Sequence, residues 1–381
     1  MSPARAVANI DADAVAHNCA RLLGALDGSA LCAVVKADGY GHGAVECALA
    51  ALRGGAAWLA VATLGEAVEL RDGGIESPVL IMGALADSDE IERAIELQAD
   101  IVLWREQSVA LAAAAAALVS GTARVHVKLD TGMGRLGTRD PAEASRVVAA
   151  AAAAPGVRLA GVMTHFATAD IPDDGGFFEH QLITFAGWSG PIKAEHPDIL
   201  VHAANSAAVL RDPRARFDMA RCGIAIYGLD PFGESPFAHD LLPALELSSY
   251  IAEVKLCRAG EGTGYGRRYL AEQDTYIGVL PIGYGDGWRR GLSNNADVLI
   301  AGRRLPLVGT VSMDNVAVDL GPDPAALELC GAEAILIGAS GEQRITAEEL
   351  AQRLDTINYE ITCGLSPRVE RYHPPTSFSR P

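Results

Sequence analysis

The sequence predicts an α/β fold in which an N-terminal (βα)8 barrel of the TIM type is followed by a mostly β C-terminal domain. Three observations support this prediction. The first 220 residues alternate short β-branched runs with longer stretches rich in alanine and leucine. Eight such runs occur there. After Pro231-Phe232-Gly233 the helical pattern gives way to strand-like segments and glycine-rich turns, so the predicted domains are residues 1–237 and 238–381.

The predicted barrel strands are short apolar runs, as buried parallel strands usually are. They span residues 30–35, 58–62, 79–82, 100–103, 123–129, 157–163, 199–203 and, more weakly, 217–220. The amphipathic stretches between them predict helices at residues 43–52, 64–71, 87–97, 107–118 and 141–154. Asp87 is a typical N-cap residue and Pro141 a typical first-turn residue, which supports two of these helix starts.

The C-terminal third is dominated by strand-like segments of alternating polarity. They span residues 244–255, 275–281, 296–300, 304–308, 315–320 and 334–337. Thr346 is a suitable helix cap, and residues 346–355 predict a late helix. We therefore expect a separate β-rich domain from residue 238 onward.

The overall composition limits the possible partners. A net charge of −17 argues against nucleic acid or an anionic membrane as a partner. Residues 1–10 contain no apolar stretch of signal-peptide length, and no run of about 18 apolar residues would span a membrane, so we expect a cytoplasmic protein. The seven cysteines lack C-x-x-C spacing, so neither a disulfide framework nor a metal site is expected. We interpret them as small buried hydrophobic residues.

Lys36 stands where an apolar strand stops and a glycine-rich turn leads into a helix. The pKa of a lysine amine falls readily in a dry environment, which is the property that Schiff-base chemistry with an aldehyde cofactor requires. A surface lysine at a strand end would be the ordinary explanation. The neighbouring glycines, with a tyrosine and a histidine, favour a site that holds an anionic group close to the backbone.

Other polar residues also follow predicted barrel strands. Because active sites of such barrels form at the C-terminal ends of the strands, we expect these side chains to meet on one face. They are Lys128, Asp130 and Arg135 after the fifth strand, His165 after the sixth, Asn205 and Ser206 after the seventh, and Arg221, Gly223 and Ile224 after the eighth. Phosphate sites in these barrels favour the last two loops, where Ser206 and the amides of Gly223 and Ile224 lie.

These residues belong to a series of motifs that resembles the alanine racemases, which are barrel enzymes dependent on pyridoxal 5'-phosphate (PLP). The motifs cover nearly the whole chain and appear in order as AVVKADGYGHG (33–43), KLDTGMGRLG (128–137), THFATAD (164–170), NS (205–206), RCGIAIYG (221–228), GYG (264–266), GYGDG (283–287), SMD (312–314) and NYE (358–360). The resemblance implies that residues 1–237 are the PLP-binding domain. It also implies interconversion of L- and D-alanine, supplying D-alanine for peptidoglycan.

The resemblance further implies roles for single residues. Lys36 would hold PLP as a Schiff base and serve as the base on one face of the substrate, and Tyr265 from the partner subunit of a homodimer would serve on the other. Arg135 would bind the substrate carboxylate and support Tyr265, together with His165. Arg221 would face the pyridine nitrogen, and because arginine only donates hydrogen bonds, that nitrogen would stay unprotonated.

The remaining implied roles concern binding and access. PLP would contact Tyr40, His165, Asn205, Ser206, Gly223, Ile224 and Tyr359. The Met313 amide would meet the substrate carboxylate from the partner subunit, and Asp170, Tyr284 and Arg290 would line the entry corridor. A second corridor arginine of the family is replaced here by Thr310. Lys128 matches a lysine that is carbamylated in some members.

Three alternatives remain open from the sequence. A PLP-barrel decarboxylase would need a cysteine-aspartate pair in its second domain, where this chain has the racemase tyrosine. A non-catalytic PLP carrier would be a single barrel without the β domain. A racemase of broader specificity that also accepts serine would share all of the motifs, so substrate preference is not determined by them.

Overall fold

The computed structural model describes residues 4–374. The chain forms two compact units. One contains residues 15–232 and 237–241, and the other contains the segment up to Ala14, Gly233–Pro236 and the chain from Leu242 onward. None of the helices in the described part of the chain is long and apolar enough to cross a membrane.

The first unit is a closed barrel of eight parallel strands, which confirms the predicted fold. The strands follow one another around the barrel in chain order: β2 (Ala30–Val34), β3 (Trp58–Val61), β4 (Val79–Ile81), β5 (Ala99–Leu103), β6 (Ala123–Lys128), β7 (Val157–Met163), β8 (Leu200–His202) and β9 (Met219–Cys222). All eight overlap the predicted apolar runs, although β9 (Met219–Cys222) shares only two residues with the run predicted at 217–220. Strand β9 closes the barrel by pairing with β2, with Cys32 opposite Arg221.

Helices alternate with these strands. They are α1 (Ala12–Leu26), the single turn α2 (Lys36–Gly41), α3 (Ala44–Arg53), α4 (Leu64–Asp72), α5 (Ser88–Glu96), α6 (Glu106–Leu118), α7 (Pro141–Ala153), α8 (Phe177–Glu195) and α9 (Ser206–Arg211). The Asp87 carboxylate accepts a hydrogen bond from the Glu90 amide, and Pro141 occupies the first turn of α7, so both predicted helix starts are confirmed. The alanine-rich α6 is ordered, with one face buried.

The second unit is built on a long sheet with the order β11-β14-β17-β16-β15-β18-β10-β1-β20, and β19 pairs with β18. Its strands are β1 (Ala6–Ile10), β10 (Leu245–Tyr250), β11 (Glu253–Cys257), β14 (Thr275–Leu280), β15 (Asp297–Ile300), β16 (Arg303–Val308), β17 (Val316–Gly321), β18 (Glu333–Ser340), β19 (Gln343–Ile345) and β20 (Glu370–Tyr372). The short strands β12 (Gly262–Thr263) and β13 (Tyr269–Leu270) form a separate hairpin. Two helices follow, α10 (Ala347–Arg353) and α11 (Asn358–Cys363), and Thr346 caps α10 as predicted.

The structure corrects the sequence-based description at three points. Strand β1 was included in the predicted barrel domain, but it pairs with β10 and β20 and belongs to the β unit, because its backbone hydrogen bonds are satisfied there. The segment predicted as one strand at 244–255 forms two strands, since β10 ends at Tyr250 and β11 begins at Glu253. Five of the seven cysteines are buried as expected, whereas Cys330 and Cys363 are exposed.

Candidate functional site

Lys36 follows strand β2 and opens a left-handed turn. The backbone of the next four residues, from Ala37 to Tyr40, has φ between 53° and 58°. For residues with a side chain this conformation costs roughly 1–2 kcal/mol each, and only Gly39 avoids that cost. Backbone strain of this kind is concentrated at functional sites. The strained turn reverses the chain abruptly between Lys36 and α3.

The Glu66 carboxylate holds this turn in place. Its Oε1 atom accepts a 2.7 Å hydrogen bond from the Ala37 amide, and its Oε2 atom accepts hydrogen bonds of 2.7 and 3.1 Å from the amides of Ala62 and Thr63. The Thr63 hydroxyl in turn accepts from the Glu66 amide, which completes a capping box at the start of α4. One carboxylate therefore joins the ends of β2 and β3, and its hydrogen bonds offset part of the strain next to Lys36.

Tyr40 lies against the loop that follows β9. Its ring packs against Tyr227 with the centroids 5.1 Å apart, and the Tyr227 hydroxyl donates a 2.9 Å hydrogen bond to the carbonyl of Val34. A Cβ atom built on Gly223 would overlap the Tyr40 hydroxyl. Gly223 is therefore required here because its backbone approaches the phenol closely.

The seventh and eighth loops meet at Ser206. The buried Ser206 hydroxyl accepts hydrogen bonds from the amides of Gly223 (3.1 Å) and Ala225 (3.3 Å). Asn205 is the N-cap of α9, because its side-chain oxygen accepts from the Ala208 amide at 3.0 Å. Ile224 begins the next 3-10 turn and is fully buried. Hydroxyls and amides therefore gather at this end of the barrel, as an anionic group requires.

Arg221 lies at the end of β9 with only 3% of its surface exposed. Its Nη1 atom donates to Nδ1 of His202 at 2.8 Å, and its Nη2 atom donates to the carbonyls of Thr164 (2.8 Å) and Ala203 (3.1 Å). Burial lowers the pKa of Arg221 to about 10, so the guanidinium stays charged at neutral pH. Its Nε atom makes no hydrogen bond to any residue in the described part of the chain.

His165 accepts a further hydrogen bond from Arg221 Nη2, at 3.3 Å from Nδ1. Desolvation lowers the pKa of His165 well below its ordinary value, and the positive charges of Arg221, Lys128, Arg135 and Lys36 lower it further. The imidazole is therefore neutral at physiological pH. Because Nδ1 accepts from an arginine, the proton of the neutral ring is on Nε2.

Lys128 ends strand β6 inside the barrel, with 4% of its surface exposed. Desolvation, followed by the charges of Arg221 and Arg135, lowers the pKa of Lys128 to about 8. The amine therefore loses its proton at a lower pH than an ordinary lysine does, and its neutral form is nucleophilic.

Arg135 is exposed in the loop after β6, and its side chain makes no hydrogen bond among residues 4–374. The part of this loop that precedes Arg135 is held by Asp130, whose carboxylate accepts hydrogen bonds from the amides of Gly132 and Gly134 at 3.0 Å. Burial would raise the pKa of Asp130, but these hydrogen bonds and Arg139 hold it below its ordinary value. Asp170 lies farther along the loop after β7 and is exposed, and it forms no ion pair with another described residue.

The predicted residues of the β unit form a second group. Tyr265 begins a 3-10 turn with 74% of its surface exposed, and its carbonyl accepts a 2.7 Å hydrogen bond from the Thr310 hydroxyl. The same segment continues to Met313, whose carbonyl accepts from the Gly285 amide at 2.9 Å, next to the exposed Tyr284. Residues 309–313 thus connect the Tyr265 turn with the Tyr284 turn.

Two further predicted residues of this unit lie apart from that segment. Arg290 is exposed and begins another 3-10 turn, where its side chain forms no ion pair within the described chain. Tyr359 is half-buried in α11.

The sequence reasoning missed three buried polar residues in the barrel interior, namely Asp100, His126 and His202. They form hydrogen bonds that end at Arg221. Glu66 was also missed. For the three barrel residues the available signal was a charged or imidazole side chain inside an apolar strand, as in Val125-His126-Val127. Burial of such a group is unfavourable unless it is paired.

The donors at the barrel mouth fit PLP. The phosphate would meet the hydroxyls of Tyr40 and Ser206 and the amides of the last loop, which together form a donor-rich cradle closed by Gly223. The pyridine nitrogen is an acceptor, and Arg221 Nε is a donor with no partner among the described residues. Lys36 would supply the amine. The set thus matches an anion at one end and a neutral ring nitrogen at the other.

Comparison with known proteins follows the same division of the chain. The family model described as alanine racemase, N-terminal domain, matches residues 10–231, and that described as alanine racemase, C-terminal domain, matches residues 244–373. Alanine racemase 1 of Bacillus subtilis (strain 168) is 42% identical over 345 residues, which cover 90% of this chain and 85% of the relative. The alanine racemase of Geobacillus stearothermophilus is 42% identical over 379 residues, covering 96% and 92%. A crystal structure of alanine racemase from the D-cycloserine-producing Streptomyces lavendulae has a TM-score of 0.91 and 39% identity, and the match covers 98% of both chains.

Proposed function

The chain belongs to the alanine racemase family, and from this premise we propose how its residues perform the reaction. The protein is a PLP-dependent enzyme that interconverts L-alanine and D-alanine. The observation that carries the assignment of residues is that three strand ends contribute to one end of a closed barrel: Lys36 and Tyr40 after β2, His165 after β7 and Arg221 in β9. When bound, PLP supplies an aldehyde for Schiff-base formation and an electron-withdrawing ring that acidifies the α-proton of alanine.

Racemisation requires proton transfer on both faces of the α-carbon, and a single group serves one face only. We assign the Lys36 amine to one face and the Tyr265 hydroxyl of the partner subunit to the other. The exposure of Tyr265, 74% in a single chain, supports a role that is completed by a second chain. Its turn is anchored through the Thr310 hydroxyl, so the phenol is carried on a defined backbone.

His165 would assist Tyr265 as a hydrogen-bond donor. With Nδ1 engaged by Arg221, the neutral ring presents its Nε2 proton, which stabilises a phenolate oxygen. Arg135 adds a positive charge and would bind the substrate carboxylate, supported by the absence of a hydrogen bond to its side chain within residues 4–374. The Met313 amide of the partner subunit would complete carboxylate binding.

Arg221 would donate from Nε to the pyridine nitrogen. Because arginine has no acceptor and remains charged, a ring nitrogen facing Nε would stay unprotonated. Arg221 would thereby weaken electron withdrawal by the ring and favour return of the proton to the α-carbon over transamination. The four interactions of the other guanidinium nitrogens hold this geometry.

The phosphate would be bound by Tyr40, Ser206, the Gly223 and Ile224 amides and Tyr359. Asn205 contributes indirectly, since its side chain caps α9 directly before Ser206. Asp170, Tyr284 and Arg290 would line the route for substrate entry, supported by their exposure.

Carbamylation of Lys128 would require a neutral amine, and its pKa of about 8 supports this modification. The carbamate would orient Arg135. Mass spectrometry of the intact holoenzyme at pH 8 in bicarbonate, with a Lys128→Met control, tests the assignment. Loss of the added mass in the control supports it, and an unmodified wild-type chain contradicts it.

We also propose a homodimer with shared active sites, and subunit complementation tests this directly. Lys36→Ala and Tyr265→Phe homodimers are each expected to be inactive in racemisation. Mixing them under subunit exchange should restore activity in the heterodimer, which has one site with both groups intact. If Lys36 and Tyr265 acted within the same subunit, no intact site would form and activity would stay absent.

The proposed setting is the cytoplasm, where the enzyme would supply D-alanine for peptidoglycan. The absence of any disulfide among the seven cysteines, all of which lie in the described chain, supports a reducing compartment. A D-alanine requirement in a strain lacking the enzyme would support the biosynthetic role, and prototrophic growth of a strain with no other racemase would contradict it.

The reaction itself is tested in heavy water with L-alanine as substrate. Racemase activity predicts loss of optical rotation, α-deuteration and no carbon dioxide. Release of carbon dioxide would indicate the decarboxylase alternative, and no change would indicate a PLP carrier. The same assay with L-serine measures whether the specificity is broader than alanine.

A further inference from the structure

Four ionisable side chains form a continuous hydrogen-bonded row inside the barrel. Arg221 Nη1 donates to Nδ1 of His202 at 2.8 Å. Nε2 of His202 lies 2.8 Å from Nδ1 of His126, and Nε2 of His126 lies 3.1 Å from Oδ2 of Asp100. Both imidazoles are fully buried, and Asp100 has 1% of its surface exposed. We call Asp100, His126 and His202 the inner row.

The direction of every hydrogen bond in the inner row follows from its two ends. Arginine only donates, so Nδ1 of His202 accepts, and the proton of the neutral ring is on Nε2. That proton is donated to Nδ1 of His126. The His126 proton is then on its own Nε2 and is donated to the Asp100 carboxylate. The donors therefore point from Arg221 toward Asp100 without a conflict.

The charges are consistent with this arrangement. Burial, followed by the charges of Arg221 and His126, lowers the pKa of His202 well below its ordinary value, so this ring is neutral. Asp100 also accepts a 2.6 Å hydrogen bond from Nε of Arg124, whose guanidinium reaches the surface. The carboxylate thus lies between two guanidinium groups, one bonded to it directly and the other reached through neutral imidazoles.

The barrel has space for the row because of one glycine. The row passes from β6 to β8 across β7, where Gly161 is opposite His126 in the parallel register. A Cβ atom on Gly161 would overlap Nδ1 of His126. Trp58 packs against His126 edge to face, with the ring centroids 6.0 Å apart. Neighbours on β3 and β7 therefore confine the His126 ring in the orientation that reaches His202.

We propose that Asp100, His126 and His202 are positioning residues that hold the Arg221 guanidinium in the orientation in which its Nε atom meets the pyridine nitrogen of PLP. The row begins at the Asp100 carboxylate and ends at the Nη1 atom of Arg221. It therefore resists rotation of the guanidinium group. Breaking the row leaves a buried imidazole donor without its acceptor, which is unfavourable and promotes rearrangement around Arg221. The proposal rests on the role of Arg221 given above.

The first test is a measurement on the unsubstituted protein, with variants used only to assign its resonances. In holoenzyme labelled with 15N-histidine, the ring resonances of His126 and His202 are expected to show neutral imidazoles with the proton on Nε2 from pH 6 to pH 9. Assignment uses the loss of single resonances in His126→Phe and in His202→Gln. An imidazolium, or a proton on Nδ1 of either ring, would overturn the directional row.

The second test compares variants by two readouts. In His126→Phe holoenzyme, the 15N resonance of the PLP ring nitrogen should shift toward its position in Arg221→Gln. The ratio of pyruvate formation to racemisation should rise about tenfold, the effect of one buried hydrogen bond. The matched control is Val125→Ala, which removes buried volume from the adjacent position, whose side chain is on the opposite face of β6. It should leave both readouts unchanged.

The outcomes separate the two levels of the proposal. If Arg221→Gln itself leaves the ring-nitrogen resonance unchanged, the assigned role of Arg221 fails. If Arg221→Gln shifts the resonance but His126→Phe behaves like Val125→Ala, the role of Arg221 stands and the inner row is only structural. If His126→Phe does not fold, His202→Gln, which changes the next member of the row, is compared with Arg221→Gln and Val125→Ala by the same two readouts.

Discussion

Arg221 and His165 are joined by a hydrogen bond of 3.3 Å from Nη2 to Nδ1. This contact decides the chemistry of the imidazole, because a ring that accepts at Nδ1 and is surrounded by positive charge carries its one proton on Nε2. His165 is therefore a fixed donor at the mouth of the barrel. The Arg221 guanidinium thus orients the His165 imidazole through Nη2, while its Nε atom is the proposed donor to the cofactor.

Replacing Gly223 by alanine should disturb Tyr40, because the added Cβ atom would overlap the phenol hydroxyl. We expect a loss of stability of about 1–3 kcal/mol and weaker binding of PLP. Equilibrium dialysis of PLP and urea unfolding measure the two effects. The control is Gly187→Ala in α8, where no atom lies within 4 Å of the new Cβ, and stability should rise by about 0.5–1 kcal/mol. Equal behaviour of the two variants would contradict the close approach at Gly223.

Replacing Ala37 by glycine should stabilise the protein by about 1 kcal/mol, because φ at Ala37 is 53° and glycine adopts this conformation without strain. Thermal and urea unfolding provide the measurement. The matched control is Ala186→Gly, an exposed position in the right-handed helix α8, which should lose about 1 kcal/mol. A loss of stability in both variants would be inconsistent with a left-handed turn after Lys36.

Removing the Tyr265 hydroxyl should affect catalysis and leave the fold intact. Tyr265 is exposed within its unit and its carbonyl, rather than its hydroxyl, anchors the turn. Tyr265→Phe should reduce L-to-D turnover by about 10²–10⁴-fold, the usual contribution of a general acid or base. PLP absorbance and the unfolding midpoint should stay unchanged. The control is Tyr276→Phe in β14, and comparable losses of turnover in both variants would argue against a catalytic role.

Reversing the charge at Arg221 should alter the reaction outcome. Arg221→Glu would favour protonation of the pyridine nitrogen and strengthen electron withdrawal by the ring, so transamination should rise relative to racemisation. Pyruvate and D-alanine are measured in the same reaction. An unchanged ratio of pyruvate formation to racemisation would count against the proposed contact with the ring nitrogen.

In protein kept free of carbon dioxide and bicarbonate, so that the Lys128 amine is unmodified, Lys128 should make the stability of the protein depend on pH. Its pKa is lowered to about 8 by burial in the folded chain and is near 10.4 when unfolded. Between these values the unfolded chain binds the proton and the folded chain does not, so stability rises with pH across this window. Lys128→Met removes this contribution. Its free energy of unfolding relative to wild type should therefore be higher at pH 7 than at pH 10, by on the order of 3 kcal/mol. A difference independent of pH would contradict the lowered pKa.

Much of the barrel could be predicted because its determinants are local. Each strand is an apolar run in the sequence, and two helix starts are indicated by a cap residue, Asp87, and a first-turn proline, Pro141. Strand β1 was missed as a member of the β unit because its partners, β10 and β20, are more than 200 residues away. The sequence does not reveal that the strand ends at Tyr250, because the alternation of apolar and polar residues continues from β10 into β11.

The sequence by itself determined the (βα)8 barrel, the mostly β domain and the loops in which the candidate residues lie. These features follow from the periodicity of apolar residues, from the helix and strand propensities of the segments, and from the rule that barrel active sites form at the C-terminal ends of the strands. Only the tertiary structure decided which nitrogen of His165 carries the proton, that Asn205 rather than Ser206 caps α9, and that Asp100 is connected to Arg221 through two histidines. Hydrogen-bond direction and burial depend on groups that are distant in the chain, and no local pattern encodes them.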